Sequence, residues 1–218
     1  MVARGSGLQE RHTASNAAQL TGGTTAPVSA RVRGEQTRQR IAEAAMALLE
    51  ENEYPPTAKE IAARANVSHR LLFHHFKDLE ALLGVVASMQ VERYRREVAE
   101  VPPHLPLPVR VERTVRHRTA LYQSIGHLAS NASALSARLQ AVADGVAHAH
   151  ELLRSRLEHT FSDELEAAGR RGRELLGAAD TAVSWQVWDY LQRANQLSPS
   201  AARRVMARLL EAALTASD

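Results

Sequence analysis

The chain has 218 residues, of which 44% are hydrophobic, a formal net charge of +3 and no cysteine. This size and apolar fraction suffice for one or two domains with a real core, and the lack of thiols excludes disulfides, thiol catalysis and cysteine-ligated zinc. No apolar run approaches the ~20 residues of a membrane span and the N-terminus shows no secretory segment, so we expect a cytoplasmic protein without a membrane partner.

The residue types favour helices. Alanine, leucine and arginine are abundant, whereas aromatic residues make up only 4% of the chain. Such a composition predicts an all-α fold. Because the net positive charge is small, any surface for nucleic acid must be local rather than global.

Residues 1–33 are rich in Gly, Ser, Thr and Ala and lack hydrophobic periodicity, which predicts a disordered arm. Arg4, Arg11, Arg31 and Arg33 make this arm basic. It is either a solvated tail or an arm that touches a DNA minor groove or phosphates, and the sequence leaves both interpretations open.

Helical spacing begins near Glu35, and the first helix should end at Asn52, before two prolines. A second helix starts at Thr57, which forms a capping box with Glu60. A short turn follows, and Ser68 is placed to cap a third helix.

The third helix has the sequence HRLLFHHF from residue 69 to residue 76. Leu72 and Phe76 lie one turn apart and share an inner face, so His69, Arg70, Phe73 and His74 project to the opposite side. Two helices joined by a tight turn, the second with exposed Arg and His, form a helix-turn-helix. Its polar face suits the DNA major groove.

The rest of the chain also reads as helix. A fourth helix, capped by Asp78, should run to about Glu100, where the segment 101–108 with its four prolines ends it. Further helices are predicted near 109–130, 133–143, 145–168, 173–195 and 199–216, with breaks at Gly145, Gly169 and Gly172.

The segment TAKEIAARANVSHRLLFHHFKDLEALL resembles the TetR family of bacterial repressors, and the likeness is specific over about residues 35 to 83. Apart from the arm at 1–33, it implies a three-helix DNA-binding domain at 34–80 and a helical effector-binding and dimerisation domain at 81–218. The sequence departs from the family pattern at Phe73, where tyrosine is frequent, and at Leu71, where a small polar residue is usual.

The resemblance implies which residues contact DNA. They are Thr57, Lys59, Ser68, His69, Arg70, Phe73, His74, His75 and Lys77. Arg70 is the strongest candidate for reading a base, because a guanidinium fork matches guanine O6 and N7.

The resemblance also implies an effector pocket and a dimer in the C-terminal half. Candidate pocket residues are Met89, Tyr122, Ile125, His127, Trp185 and Trp188. Candidate dimer residues are Ala179, Val183, Val187, Val205, Met206, Leu209, Leu210 and Ala213. The alternative is that both sets simply pack in the core of a single chain.

We therefore expect a sequence-specific repressor that binds double-stranded DNA at a palindromic operator as a homodimer and is released by an unidentified small-molecule effector. The alternative is a DNA-binding regulator without such an effector, controlled by a protein partner or by its abundance. We expect no enzyme, since catalytic motifs such as G-x-S-x-G and H-E-x-x-H do not occur. We also expect no cofactor and no metal, because neither His74 with His75 nor His148 with His150 shares a helix face.

Overall fold

The computed structural model describes residues 28–52 and 54–216, and within these ranges the chain is helical, with no strand. The helices are α1 (Val28–Glu51), α2 (Ala58–Arg64), α3 (His69–His75), α4 (Leu79–Glu97), α5 (Leu107–Ser136), α6 (Gln140–Thr160), α7 (Ser162–Ala167), α8 (Gly172–Ala182), α9 (Trp185–Arg193) and α10 (Pro199–Thr215). A 3-10 turn at Gly169–Arg171 joins α7 to α8. The predicted all-α fold is confirmed, and no helix in the described part is long and apolar enough to cross a membrane.

The first three helices form a small unit around a shared apolar centre. On α1 the apolar positions recur every three to four residues, so they form one stripe that faces α2 and α3. The side chains that meet in this centre are Ile41, Ala45, Leu49, Ile61, Leu72 and Phe76. Their burial fixes the orientation of α3 relative to α1.

Helix α1 begins at Val28, earlier than the predicted start near Glu35. Arg31 and Arg33, which the composition places in a disordered arm, therefore lie on exposed positions of a helix. Once the amphipathic part of α1 has formed, each added turn costs little, and a sequence without an apolar stripe can extend it. The remainder of the predicted arm, residues 1–27, lies outside the described residues.

The predicted helix at 133–143 and the break at Gly145 are wrong. Helix α5 continues to Ser136, and α6 runs from Gln140 straight through Gly145. A Cβ at position 145 would overlap the Cβ of Ala87 on α4. The glycine therefore allows two helices to approach closely and does not mark a helix end.

Two other predicted helices are divided. The segment 145–168 breaks at Phe161 into α6 and α7, and the segment 173–195 breaks at Ser184. The Ser184 hydroxyl accepts a hydrogen bond from the Val187 N–H at 3.2 Å, which caps α9. Gly169 adopts a left-handed φ of 55°, as expected of a glycine that ends a helix.

A continuous hydrophobic core joins the α1–α3 unit to the other helices. Helix α4 starts directly after α3 and packs on both α1 and α6. Arg93 of α4 pairs with Glu50 of α1 at 2.7 Å. Through this packing and this ion pair, α4 holds the α1–α3 unit against the rest of the chain.

Candidate DNA-binding surface and effector cavity

The turn between α2 and α3 is built from the residues that the sequence indicated. The Glu60 N–H donates to the Thr57 hydroxyl at 3.3 Å, and the Thr57 N–H donates to the Glu60 carboxylate at 2.7 Å, which completes the capping box. The Thr57 N–H and the Thr57 hydroxyl, which donates at 2.8 Å, both bind the Glu60 carboxylate and hold its pKa below the usual value. Asn66 takes a φ of 52°, and the Ser68 hydroxyl accepts from the Leu71 N–H at 3.1 Å. The turn thus fixes where α3 begins.

Helix α3 has the two faces that its sequence predicts. Leu72 and Phe76 are 0% and 1% exposed, so the inner face is fully covered. His69, Arg70 and His74 are exposed on the other face. A helix that is anchored from behind and polar in front can enter a major groove without losing its support.

Two apolar side chains lie among these polar ones. Leu71 and Phe73 are exposed although they are large and hydrophobic. The Phe73 ring packs edge-on against His69, with 4.8 Å between ring centroids. An exposed phenylalanine on this face offers apolar contact to a thymine methyl group rather than a hydrogen bond to a phosphate.

The predicted DNA contacts lie near the same end of the molecule. Thr57, Lys59, Ser68 and Lys77 are exposed beside α3. His75 is only partly exposed, and burial, followed by the neighbouring charges of His74 and Arg38, lowers its pKa. His75 is therefore neutral at pH 7 and offers a phosphate at most an uncharged N–H. Asp78 accepts from the Ala81 N–H at 2.8 Å and caps α4, as predicted.

Arg38 of α1 is a positioning residue that sequence reasoning missed. Its guanidinium lies 4.2 Å from the centroid of the Phe76 ring and donates to the His75 carbonyl oxygen at 2.6 Å. The C-terminal end of α3 is thus clamped by a cation–π contact and a charge-assisted hydrogen bond. In the sequence, Arg38 is one arginine before an apolar stripe, and no local pattern distinguishes it from other surface arginines.

A cavity of about 570 Å³ lies among α5, α6 and the start of α9. Its volume lies within the ~300–1,000 Å³ range of small-molecule sites. Apolar side chains cover most of its wall, among them Leu121, Ile125, Ala129, Val146 and Leu153. The polar groups in the wall include Arg118, Tyr122, His150, Asp180 and Ser184.

Three of the six predicted pocket residues, Tyr122, Ile125 and Trp185, line this cavity. The rings of Tyr122 and Trp185 meet edge to face, with centroids 5.7 Å apart. Of the other three, His127 and Trp188 line a separate recess that shares this aromatic pair, and Met89 packs against the core. Helical periodicity predicts which residues share a face of a helix, but it does not predict on which side of the Tyr122–Trp185 pair the cavity lies.

The Tyr122 hydroxyl is fixed at the polar end of the cavity. It donates to the Val183 carbonyl oxygen at 2.7 Å, and burial raises its pKa. Asp180 accepts hydrogen bonds from His150 at 2.7 Å and from Arg154 at 3.3 Å. Charged and polar groups therefore cluster where α5, α6 and α8 meet.

A smaller apolar hollow of about 80 Å³ adjoins the cavity and extends to α4. The two share Tyr94, Ala129, Ala132, Val146 and Ala149 as wall residues. Gln90 of α4 also lines the smaller hollow. Its buried amide makes no well-aligned hydrogen bond within the described residues, although the Tyr94 hydroxyl lies beside it. A polar group of this kind is an available partner for a bound molecule.

The comparisons with known proteins agree with this geometry. A family model described as bacterial regulatory proteins, tetR family, matches residues 41–86, which run from α1 through α2 and α3 into α4. Residues 41–86 therefore match the DNA-binding domain of TetR-family transcriptional regulators, including its helix-turn-helix.

Solved structures share this fold over most of the chain. A transcriptional regulator from Rhodococcus sp. Rha1 superposes with a TM-score of 0.65 and 16% identity, covering 81% of this chain and 95% of that one. A putative TetR-family transcriptional regulator from Mesorhizobium loti gives a TM-score of 0.62 and 16% identity, with coverages of 84% and 96%. The multidrug binding protein EbrR, in complex with imidazole, gives 0.56 and 20%, with coverages of 79% and 93%. A search of curated proteins finds no match.

The residues predicted for the dimer interface divide into two groups. Ala179, Val183, Met206 and Leu210 are at most 1% exposed, because α8 and α10 pack on each other within one chain. These four side chains are thus covered by their own chain. The others, which are partly or fully exposed, are Val187, Val205, Leu209 and Ala213.

The His74 and His75 rings are 5.5 Å apart and nearly perpendicular, and His150 is engaged with Asp180. In the part of the chain that the structure describes, no three side chains among His, Asp and Glu are grouped as metal ligands would be.

Proposed function

We propose that this protein is a homodimeric repressor of the TetR family that binds a palindromic operator and leaves it when a small molecule occupies the cavity. The observation that carries the proposal is the division of α3 into a covered apolar face and an exposed face with Arg70 at its centre. A single α3 reads one half-site, whereas two copies related by a twofold axis read both.

The proposed division of labour assigns residues 34–80 to DNA and residues 81–218 to effector binding and dimerisation. Base contacts come from Lys59, His69, Arg70 and His74, with apolar contact from Phe73. Phosphate contacts come from Thr57, His75, Lys77 and the amides at the start of α4, and Ser68 is a further DNA contact. The exposed positions of α9 and α10, where Tyr190 and Leu209 remain uncovered by their own chain, provide an apolar face for the second copy.

The cavity supports control by a small molecule rather than by a protein partner or by abundance alone. It is large enough for such a ligand, mostly apolar, and supplied with a few polar groups at one end. An unfilled cavity between α5 and α6 loses packing contacts that would stabilise the fold. A bound effector would restore such contacts.

The contact between α6 and α4 offers a route from the cavity to DNA. Val146 and Ala149 of α6 line the cavity, and Gly145 beside them touches Ala87 of α4. A Cβ at Gly84 of α4 would similarly lie 2.9 Å from Ala141. Because the two helices touch without intervening side chains, a ligand that moves α6 also moves α4 and the α3 that precedes it. Two arrangements of this pair, with different affinity for DNA, are sufficient for release by mass action.

The experiment is to measure operator affinity by fluorescence anisotropy at several salt concentrations. Arg70→Ala should weaken specific binding by ~1–3 kcal/mol and leave nonspecific binding nearly unchanged. Lys77→Ala should weaken both and lower the salt slope by about one. Unchanged affinity and operator preference in Arg70→Ala would show that α3 does not read the DNA.

A further inference from the structure

Two arginines of α5 are buried to the same degree but have different partners. Arg110 and Arg118 are each 5% exposed. The Arg110 guanidinium makes two 2.7 Å hydrogen bonds to the Glu164 carboxylate, so its charge is balanced. The Arg118 guanidinium donates to the Leu153 carbonyl oxygen at 2.6 Å, and within residues 28–52 and 54–216 no carboxylate forms an ion pair with it. A buried charge without a counter-charge destabilises a fold, which calls for an explanation at Arg118.

The nearby carboxylate does not supply the missing counter-charge. Asp180 accepts from His150 at 2.7 Å and from Arg154 at 3.3 Å, so its negative charge is already matched by Arg154. Among the described residues, the positive charge of Arg118 is therefore left without a partner carboxylate at this end of the cavity.

We propose that the effector is an organic anion, a carboxylate attached to an apolar body, and that Arg118 binds its carboxylate. This inference rests on the proposed function, in which the cavity holds the effector. A guanidinium is planar and presents parallel N–H donors, so it binds a carboxylate with two hydrogen bonds. Beyond Arg118 the wall turns apolar, with Leu121, Ile125 and Ala129 on the same helix and Val146 on α6.

Ligands of other charge fit this cavity less well. A cation would be repelled by Arg118 and would find Asp180 already paired. A neutral ligand would leave the Arg118 charge uncompensated in a site that has just lost its water. Only an anion supplies the counter-charge that the buried Arg118 lacks, so only an anion gains binding free energy from this charge.

The test compares acids with their uncharged analogues on the full-length wild-type protein. The probes are decanoate and 3-phenylpropionate, each against its primary amide, with decylammonium as the cationic counterpart. Binding is followed by tryptophan emission, because Trp185 lines the cavity, and by loss of operator affinity. The acids should bind about 10- to 100-fold more tightly than the amides, the range expected for hydrogen bonds to a charged group. If decanoate binds more tightly than 3-phenylpropionate, the cavity prefers an aliphatic apolar body in its ligand. The reverse order indicates an aromatic one.

Variants then assign the preference to Arg118. Arg118→Met should remove the acid-over-amide preference, and Arg118→Lys should keep part of it. Arg116→Met is the matched control, since Arg116 lies on the same helix, is exposed and pairs with Glu112 at 3.0 Å. Circular dichroism reports whether each variant is folded, and the wild-type comparison of acid with amide does not depend on that result.

The outcomes separate this inference from the proposed function. If amides or decylammonium bind as tightly as the acids and release DNA, the anion assignment is overturned while ligand control stands. The assignment is also overturned if a folded Arg118→Met retains the preference. If none of the probes changes tryptophan emission or operator affinity, the result counts against both the anion assignment and ligand control.

Discussion

Asn131 of α5 ties the end of α1 to the effector-binding half of the chain. Its side chain is 2% exposed, and its amide donates to the Leu49 carbonyl oxygen at 3.1 Å and to the Asn52 carbonyl oxygen at 2.9 Å. The last carbonyls of a helix have no partner within the helix. Asn131 therefore caps α1 from a distant part of the sequence and joins the DNA-binding unit to the wall of the cavity.

Replacing this residue by alanine should be costly. Asn131→Ala removes both hydrogen bonds at once and leaves two carbonyl oxygens at a covered helix end without their donor. Each loss is worth ~1–3 kcal/mol when the remaining group stays buried. Because the Asn52 carbonyl is only partly covered, we expect the free energy of unfolding to fall by about 2–4 kcal/mol.

Urea unfolding followed by circular dichroism measures this change at a fixed protein concentration. Ser133→Ala serves as the control, because Ser133 is exposed on the same helix and its replacement should change stability by less than about 0.5 kcal/mol. If Asn131→Ala and Ser133→Ala unfold at the same urea concentration with equal slopes, the cap does not stabilise α1 and the reasoning is refuted.

Two further predictions concern helix packing and pH. Gly145→Ala should lower the thermal midpoint, since the new Cβ overlaps that of Ala87 and overpacking costs ~1–3 kcal/mol. The control Gly177→Ala, in a helix with open space around it, should instead gain about 0.5–1 kcal/mol. An unchanged or raised midpoint in Gly145→Ala would contradict the close α4–α6 contact. Burial, followed by the charge of Arg116, lowers the pKa of His117 from 6.5 in the folded chain. Because the unfolded chain then binds a proton more readily than the folded chain, the free energy of unfolding should fall as the pH drops below 6.5. The fall should level off below the lowered pKa of the folded state. His117→Gln should flatten that fall in urea midpoints measured between about pH 8 and about pH 5, and a curve parallel to wild type would show that His117 does not cause it.

The sequence was most informative where one local interaction decides a conformation. Thr57 with Glu60, the left-handed Asn66 and the caps Ser68 and Asp78 all depend on neighbours within a few residues, and the structure confirms each of them. The two faces of α3 follow from helical spacing in the same way.

The sequence was least informative where a residue acts through a distant partner. Gly145 looks like a helix break, yet it is a point of contact with α4 that only the assembled fold reveals. Met206 and Leu210 form a regular apolar stripe, and spacing alone does not say whether its own chain or a second copy covers it. Arg38 and Asn131 carry no local signal at all, because their partners are 37 and more than 70 residues away.

Selection of bound sequences from random DNA tests the central claim, that the outward face of α3 reads the operator twice. The wild-type protein should select two inverted half-sites whose centres lie about one turn of DNA, ~34–36 Å, apart, each with a guanine whose selection Arg70→Ala abolishes. An unrepeated motif, or the same motif selected by Arg70→Ala, would contradict the account.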